Sequence, residues 1–271
     1  MPSGSRSLPV IQFGTFPKRG LVHGVTGRTD LLPLDGDVSY VTGADSELVR
    51  ANRATWGTAM GVSSNHWVCA QQVHKARAMI VGAAESGRGS LGFTDALPGT
   101  DILVTEEPGL PLVIFCADCT PILLVDPIRR SIAVAHAGWR GTVLDAAGEA
   151  VRMLQREFGT RPEDIIAGIG PAIGPCCYDV GSEVIEAWMR TGIDPGGAAV
   201  VDRPARQRFD LWEANRRCLV AAGVPSANIE VAGICTRCNA RRFFSHRSGV
   251  APEGRFAAVI ALDGGSTHGR A

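Results

Sequence analysis

The chain has 271 residues, 45% hydrophobic and 20% charged, enough to bury a sizeable core and too apolar for an extended disordered chain. Lys and Arg together number 27, as do Asp and Glu, so bulk charge recruits neither nucleic acid nor an anionic membrane, and any anion must be met locally. No apolar run nears the roughly 20 residues that cross a bilayer and residues 1–20 lack a signal-peptide core, so a cytoplasmic location is expected.

In chain order, an irregular start gives way to a predicted helix over 45–61. Asp45 is its cap, Leu48, Val49, Ala51, Ala54, Trp56 and Met60 are among its spaced apolar positions, and Gly61 is its stop. Segments 66–73 and 76–82 read as strands, followed over 87–99 by a glycine-rich loop with little to pack and the reach to cover a site. From Asp101 the pattern changes to short apolar runs, 102–104, 112–115, 122–125 and 132–135, which read as buried strands. Asp126-Pro127-Ile128-Arg129-Arg130 joins the last two as a hairpin loop. A helix is expected over 141–158, with Val143, Leu144, Ala147, Val151, Leu154 and Phe158 on one side. Strand 165–169 runs into Gly170-Pro171-Ala172-Ile173-Gly174-Pro175, too rich in proline and glycine to continue either element. Helices at 182–190 and 211–222 and strands at 229–234 and 256–262 complete a mixed α/β chain, expected to form one domain over 1–271.

Eight cysteines in a long chain without a secretory signal read as reduced thiols, which raises the question of metal binding or catalysis. Cys69, Cys176, Cys177 and Cys218 lie in apolar or helical surroundings, read as small buried hydrophobes, and are assigned no chemistry. The densest signal is Cys116-Ala117-Asp118-Cys119-Thr120-Pro121, followed after one hairpin by Ala135-His136-Ala137-Gly138-Trp139-Arg140-Gly141. If strands 121–126 and 131–136 pair across the turn, Cys119 and His136 come to the same end of the sheet. His74, read as the end of another strand, can complete a His₂Cys set with one coordination position open, the arrangement of a catalytic zinc site. Two rivals stand beside it. Cys116, Cys119, Cys235 and Cys238 have the form of a four-cysteine structural zinc site. Alternatively, Cys119 is a thiolate nucleophile activated by His136, without metal.

Several blocks resemble the YfiH or laccase-domain family, whose members also carry the names multicopper polyphenol oxidase and peptidoglycan editing factor. They are Gln72-Val73-His74, Thr100 to Thr105, Ala117 to Pro121 with Ile122 to Asp126, His136 to Gly141, and Gly170 to Pro175 with Tyr178-Asp179-Val180-Gly181. The resemblance continues into Asp210-Leu211, Asn215-Arg216, Cys235-Thr236-x-Cys238 and Phe243-Phe244-Ser245-His246-Arg247, and covers about residues 20–262 in family order. Lys75, Thr100 and His246 stand where the family usually carries Gly, Ala and Tyr.

The resemblance implies an α/β fold of mixed β-sheets flanked by helices, layered as an α/β/β/α sandwich. It places one catalytic zinc per chain on His74, Cys119 and His136. It also implies purine nucleoside phosphorylase activity on adenosine, inosine, guanosine and methylthioadenosine, with adenosine deaminase activity. The partners expected are these small molecules and phosphate, with no nucleic acid and no membrane, on a monomer or weak homodimer. Deamination needs water activated at the metal and a proton shuttle, for which Asp101 and Asp118 are the candidates. Phosphorolysis needs a held phosphate, for which Arg140, Arg241, Arg242 and Arg247 are candidates and Arg53 a weaker one. Trp139 or Phe243 can stack on the purine. The alternatives are a copper-dependent polyphenol oxidase, with copper otherwise adventitious, and an amidase-like hydrolase of peptidoglycan precursors using Cys119 and His136.

Overall fold

The structure is a computed structural model that describes residues 7–193, 197–203 and 206–264. The strands and helices in chain order are β1 (Leu21–Val25), α1 (Ser46–Met60), β2 (Val68–Cys69), β3 (Ala78–Ile80), β4 (Ile102–Thr105), β5 (Leu112–Cys116), β6 (Thr120–Asp126) and β7 (Ser131–Ala137). There follow α2 (Trp139–Val143), α3 (Ala146–Phe158), β8 (Ile166–Ile169), β9 (Asp179–Val180), α4 (Ser182–Met189), β10 (Ala199–Arg203), β11 (Arg206–Phe209), α5 (Leu211–Ala221), β12 (Ile229–Val231) and β13 (Phe256–Leu262).

The continuous apolar runs of β6 and β7 arise because both faces of their sheet are covered, and side chains alternate between the faces. Ile122, Leu124, Ala133 and Ala135 pack with Ala147, Val151 and Leu154 of α3 and Ala214 and Leu219 of α5. Leu123, Val125, Ile132 and Val134 turn the other way and meet Leu112, Ile114, Ala258 and Ile260 of β5 and β13. The opposite face of β5 and β13, with Val113, Ala257 and Val259, is covered by Trp56 and Met60 of α1 and by Trp67. The layers are therefore α1, a sheet ordered β1-β13-β5-β2, a sheet ordered β12-β8-β6-β7-β4-β3, and the pair α3 and α5. This is the expected α/β/β/α sandwich, and a small sheet ordered β10-β11-β9 lies beside it. No helix among the described residues is long and apolar enough to cross a membrane.

The predicted hairpin forms with the predicted register: Pro121 pairs with His136 and Asp126 with Ser131. Other expectations need correction. Segments 66–73 and 76–82 contribute only the short β2 and β3, so His74 does not end a strand. The helix expected over 141–158 is two helices. Asp145, at φ +57°, accepts the Gly148 N–H with its side chain and caps α3, which leaves Leu144 exposed between them. The strand expected over 229–234 stops at Val231. The strands β1, β9, β10 and β11 add to the elements expected from the sequence.

Candidate metal centre

Cys119 immediately precedes β6, and His136 lies near the end of β7 across the ladder from Pro121. His74 arrives from the 70–77 loop. One nitrogen from each histidine and the Cys119 Sγ all lie within 4.8 Å of one another. The two imidazoles meet edge to face with centroids 4.8 Å apart. Gly138 makes the space: a Cβ there would stand 2.8 Å from Cys119 Sγ and 3.5 Å from His74 Cδ2.

Asp101 ties two of these groups together. Its carboxylate is wholly buried and lies 2.9 Å from His136 Nδ1. It also accepts the backbone N–H groups of Val73, His74 and Lys75, at 3.2, 3.0 and 2.8 Å. Three successive N–H groups can converge on one carboxylate only if the chain curls around it. Such curling explains the left-handed backbone of His74, φ +59°, unusual for a residue with a Cβ. Burial pushes the Asp101 carboxyl up, but hydrogen bonds from His136 and the Lys75 and His74 amides outweigh it and hold the group below its usual range.

The same opposition of burial and charge sets the other two groups. Burial pushes the Cys119 thiol up, yet the charge and hydrogen bonds of His136, with His74, bring it down to about 6. Burial pushes the His136 imidazole down, yet the Cys119 charge and the Asp101 hydrogen bond raise it to about 9. A thiolate beside two imidazoles, one of them fixed through Nδ1 by a carboxylate, is the donor chemistry that a borderline-soft divalent ion takes. His136 is 2% exposed, Cys119 half-buried and His74 exposed, so the trio is closed on one side and open on the other.

The open side gives onto a cavity of about 490 Å³, in the size range of small-molecule sites. Asp118, Arg140, Arg247 and the weaker candidate Arg53, all singled out from the sequence, line it. The Asp118 carboxylate accepts Thr236 Oγ1 at 2.6 Å and the Arg247 N–H at 2.8 Å. Arg53 is 2% exposed and lies against the rings of Tyr40 and Phe115, at 4.1 and 4.7 Å. Its Nε donates to the Val38 carbonyl and its Nη1 to those of Gly89 and Ser90. Among the described residues no ion pair is found for it, which leaves a buried cation beside the cavity. Arg140 is stacked over Trp139 at 4.3 Å, and Arg247 over Tyr178 at 5.2 Å.

Phe243, Arg241, Arg242 and Asp101, all candidates from the sequence, fall outside the cavity wall. Phe243 is 1% exposed and packs edge to face on Phe256 in the core, so it cannot stack on a ligand. Arg242 lies over Phe243, and neither it nor Arg241 lines the cavity. Asp101 is also absent from the cavity wall: it sits behind the trio and orients it. The glycine-rich loop contributes Gly89, Phe93 and Ala96 to the wall, as its position suggested. Tyr40, Phe115, Tyr178 and Arg255 were missed. Phe115 precedes the Cys116 to Pro121 run and Tyr178 opens the Tyr178-Asp179-Val180-Gly181 block, but Tyr40 and Arg255 carry no signal of their own in the sequence.

A layered α/β/β/α sandwich with a His–Cys–His cluster opening onto one aromatic and basic cavity defines the class. The family model described as multi-copper polyphenol oxidoreductase laccase matches residues 34–263, and the chain belongs to that family. Its relatives include a protein named purine nucleoside phosphorylase YlmD from Geobacillus stearothermophilus, 40% identical over 80% of each chain. A protein named adenosine deaminase RL5, from an unknown prokaryotic organism, is 38% identical over 76% of this chain and 78% of its own. The crystal structure of YlmD from Geobacillus stearothermophilus superposes with a TM-score of 0.88 at 35% identity, over 96% of this chain and 97% of that one.

Proposed function

We propose that this protein is a zinc-dependent purine nucleoside phosphorylase that cleaves adenosine, inosine, guanosine and methylthioadenosine and also deaminates adenosine. The observation that carries the reading is the trio of His74, Cys119 and His136 open to a cavity whose wall alternates aromatic rings with guanidinium groups. The names of the relatives support the reaction class.

Zinc held by the trio supplies Lewis-acid chemistry and lowers the pKa of water at the site. The remaining work falls to the chain. Asp101 holds the His136 ring through Nδ1, directing Nε2 toward the site, and fixes the His74 loop through its backbone. Phe115, Tyr40 and Trp139 offer flat apolar faces for the purine. Arg53, Arg140 and Arg247 supply the positive wall for phosphate. In phosphorolysis a phosphate oxygen bonds to C1′ as the C1′–N9 bond breaks, and the base leaves with a proton. Asp118 is the carboxylate nearest that task, because it faces the cavity while Asp101 does not.

A metal-free cysteine hydrolase is the second reading, favoured by the thiolate–imidazolium pair of Cys119 and His136. For a multicopper oxidase, the described residues offer no second cluster that contains histidine. The test is adenosine incubated with zinc-loaded protein, with and without phosphate. Ribose 1-phosphate and adenine should appear only with phosphate, and inosine in either case. Phenol oxidation without purine products would overturn the reading.

A further inference from the structure

Four of the eight cysteines converge away from the cavity. The Sγ atoms of Cys176, Cys177, Cys235 and Cys238 all lie within 4.8 Å of one another, with Cys238 3.6 Å from Cys176 and 3.4 Å from Cys177. They come from two loops far apart in the chain. The buried-hydrophobe reading of Cys176 and Cys177 does not survive: Cys176 and Cys238 are exposed and Cys177 half-buried, and only Cys235 is buried. The four-cysteine site built on Cys116 and Cys119 does not form either, because Cys116 is buried in β5 and Cys119 faces the histidines. The Cys235-x-x-Cys238 half of that pattern is real, and its partners are the adjacent pair 176 and 177.

We infer that Cys176, Cys177, Cys235 and Cys238 form a second, structural metal site that takes one tetrahedral zinc ion. A Zn–S bond of roughly 2.3 Å places the sulfurs of a tetrathiolate about 3.8 Å apart, close to the 3.6 and 3.4 Å that separate Cys238 from Cys176 and Cys177. A two-iron cluster would hold two pairs of sulfurs farther apart. A disulfide would use two sulfurs and leave the convergence of the others unexplained.

The surroundings are those of a ligand set. The Gly174 N–H donates to Cys235 Sγ at 3.3 Å, the kind of backbone bond that stabilises a coordinated thiolate. Gly174 is needed there, since a Cβ on it would stand 3.2 Å from the Cys235 Cβ and closer still to the Trp212 ring. Arg237, between two of the ligands, donates to the Cys177 carbonyl at 3.4 Å and brings a positive charge beside a site that carries excess negative charge when filled.

The site also has a mechanical consequence. Ala172 and Cys235 form a parallel bridge, and the Thr236 N–H donates to the Ala172 carbonyl at 3.0 Å. The first loop carries Ile173 and Tyr178 into the cavity wall, and the second carries Thr236, whose hydroxyl holds Asp118. A metal at the four thiolates buckles these loops together behind the cavity. Without a metal, the exposed thiols of Cys176 and Cys238 are an oxidation hazard.

The experiment is metal analysis of the full chain purified anaerobically under reducing conditions with zinc present. Wild type should carry about two zinc ions, and both Cys176→Ser/Cys238→Ser and His74→Ala/His136→Ala about one each. Cobalt in the histidine variant should show the intense visible bands of a tetrathiolate, and cobalt in the cysteine variant should not. That spectrum decides the matter even if the cysteine variant fails to fold. A single zinc in wild type, a histidine variant without tetrathiolate bands, or a disulfide to Cys238 under these conditions would overturn the inference.

Discussion

The two sulfur-bearing clusters are held in opposite ways. Cys119 and His136 sit at the ends of buried strands, His74 joins them from a loop curled around Asp101, and Asp101 locks the set from behind, with one side open to a cavity. Cys176, Cys177, Cys235 and Cys238 sit on loops, supply four donors of one kind, and leave no ligand position for substrate. Mixed donors on a rigid frame with an open side suit chemistry, and a closed set of thiolates suits bracing. On the proposed reading, the mixed donors and the open side, rather than the number of ligands, separate the reacting site from the staple.

The largest effect should come from breaking the first cluster. Cys119→Ser or His136→Ala should lower phosphorolysis by about 10³-fold or more, a loss of several kcal/mol of transition-state stabilisation. Either should also release one zinc while leaving the four-thiolate ion in place, as metal analysis and steady-state rates will show.

The next prediction concerns pH. In metal-free protein Cys119 is held at about 6 against an ordinary 9.0, so its alkylation by iodoacetamide should rise as pH passes 6 and level off above 7. His136→Ala removes the main lowering influence and should move that midpoint upward, reducing the thiolate present at pH 7 by about tenfold or more. An unmoved midpoint would show that His136 does not set the thiolate.

Asp101→Asn keeps the shape but weakens the hold on His136 and on the His74 loop. A fall of about 10- to 100-fold in zinc affinity or rate is expected, with the fold intact by circular dichroism. The four-thiolate site should not respond.

The smallest effects separate the arginines. Arg140→Ala should raise the KM for phosphate by about tenfold, one charge-assisted contact being worth roughly 1.5 kcal/mol. Arg242→Ala, outside the cavity, should change it by less than about twofold. Equal effects would mean that the cavity wall does not choose the phosphate site.

What was legible in the sequence follows the same division. The apolar runs of β4 to β7 are continuous because both sheet faces are buried, so they stand out, and the short Asp126 turn fixes their register. Cys119 and His136 could be paired from that register alone. The His74 loop could not, since its curl depends on a carboxylate supplied by Asp101 from another segment. Arg53 lies in α1 where a charged residue reads as a solvated face, yet carbonyls from Val38, Gly89 and Ser90 satisfy it in the interior. Strands β9 and β11 have few apolar residues and exist through pairing, with Gln207 opposite Val180. Cys176 and Cys177 look like small hydrophobes until tertiary structure brings Cys238 to them.

The central claim is that His74, Cys119 and His136 hold zinc for cleavage of purine nucleosides by phosphate. The most direct measurement strips the protein with a chelator, restores metal ions one at a time, and follows ribose 1-phosphate formed from adenosine. The account predicts no product from the stripped protein and recovery with zinc. Full activity in the stripped protein, or recovery with copper alone, would contradict it.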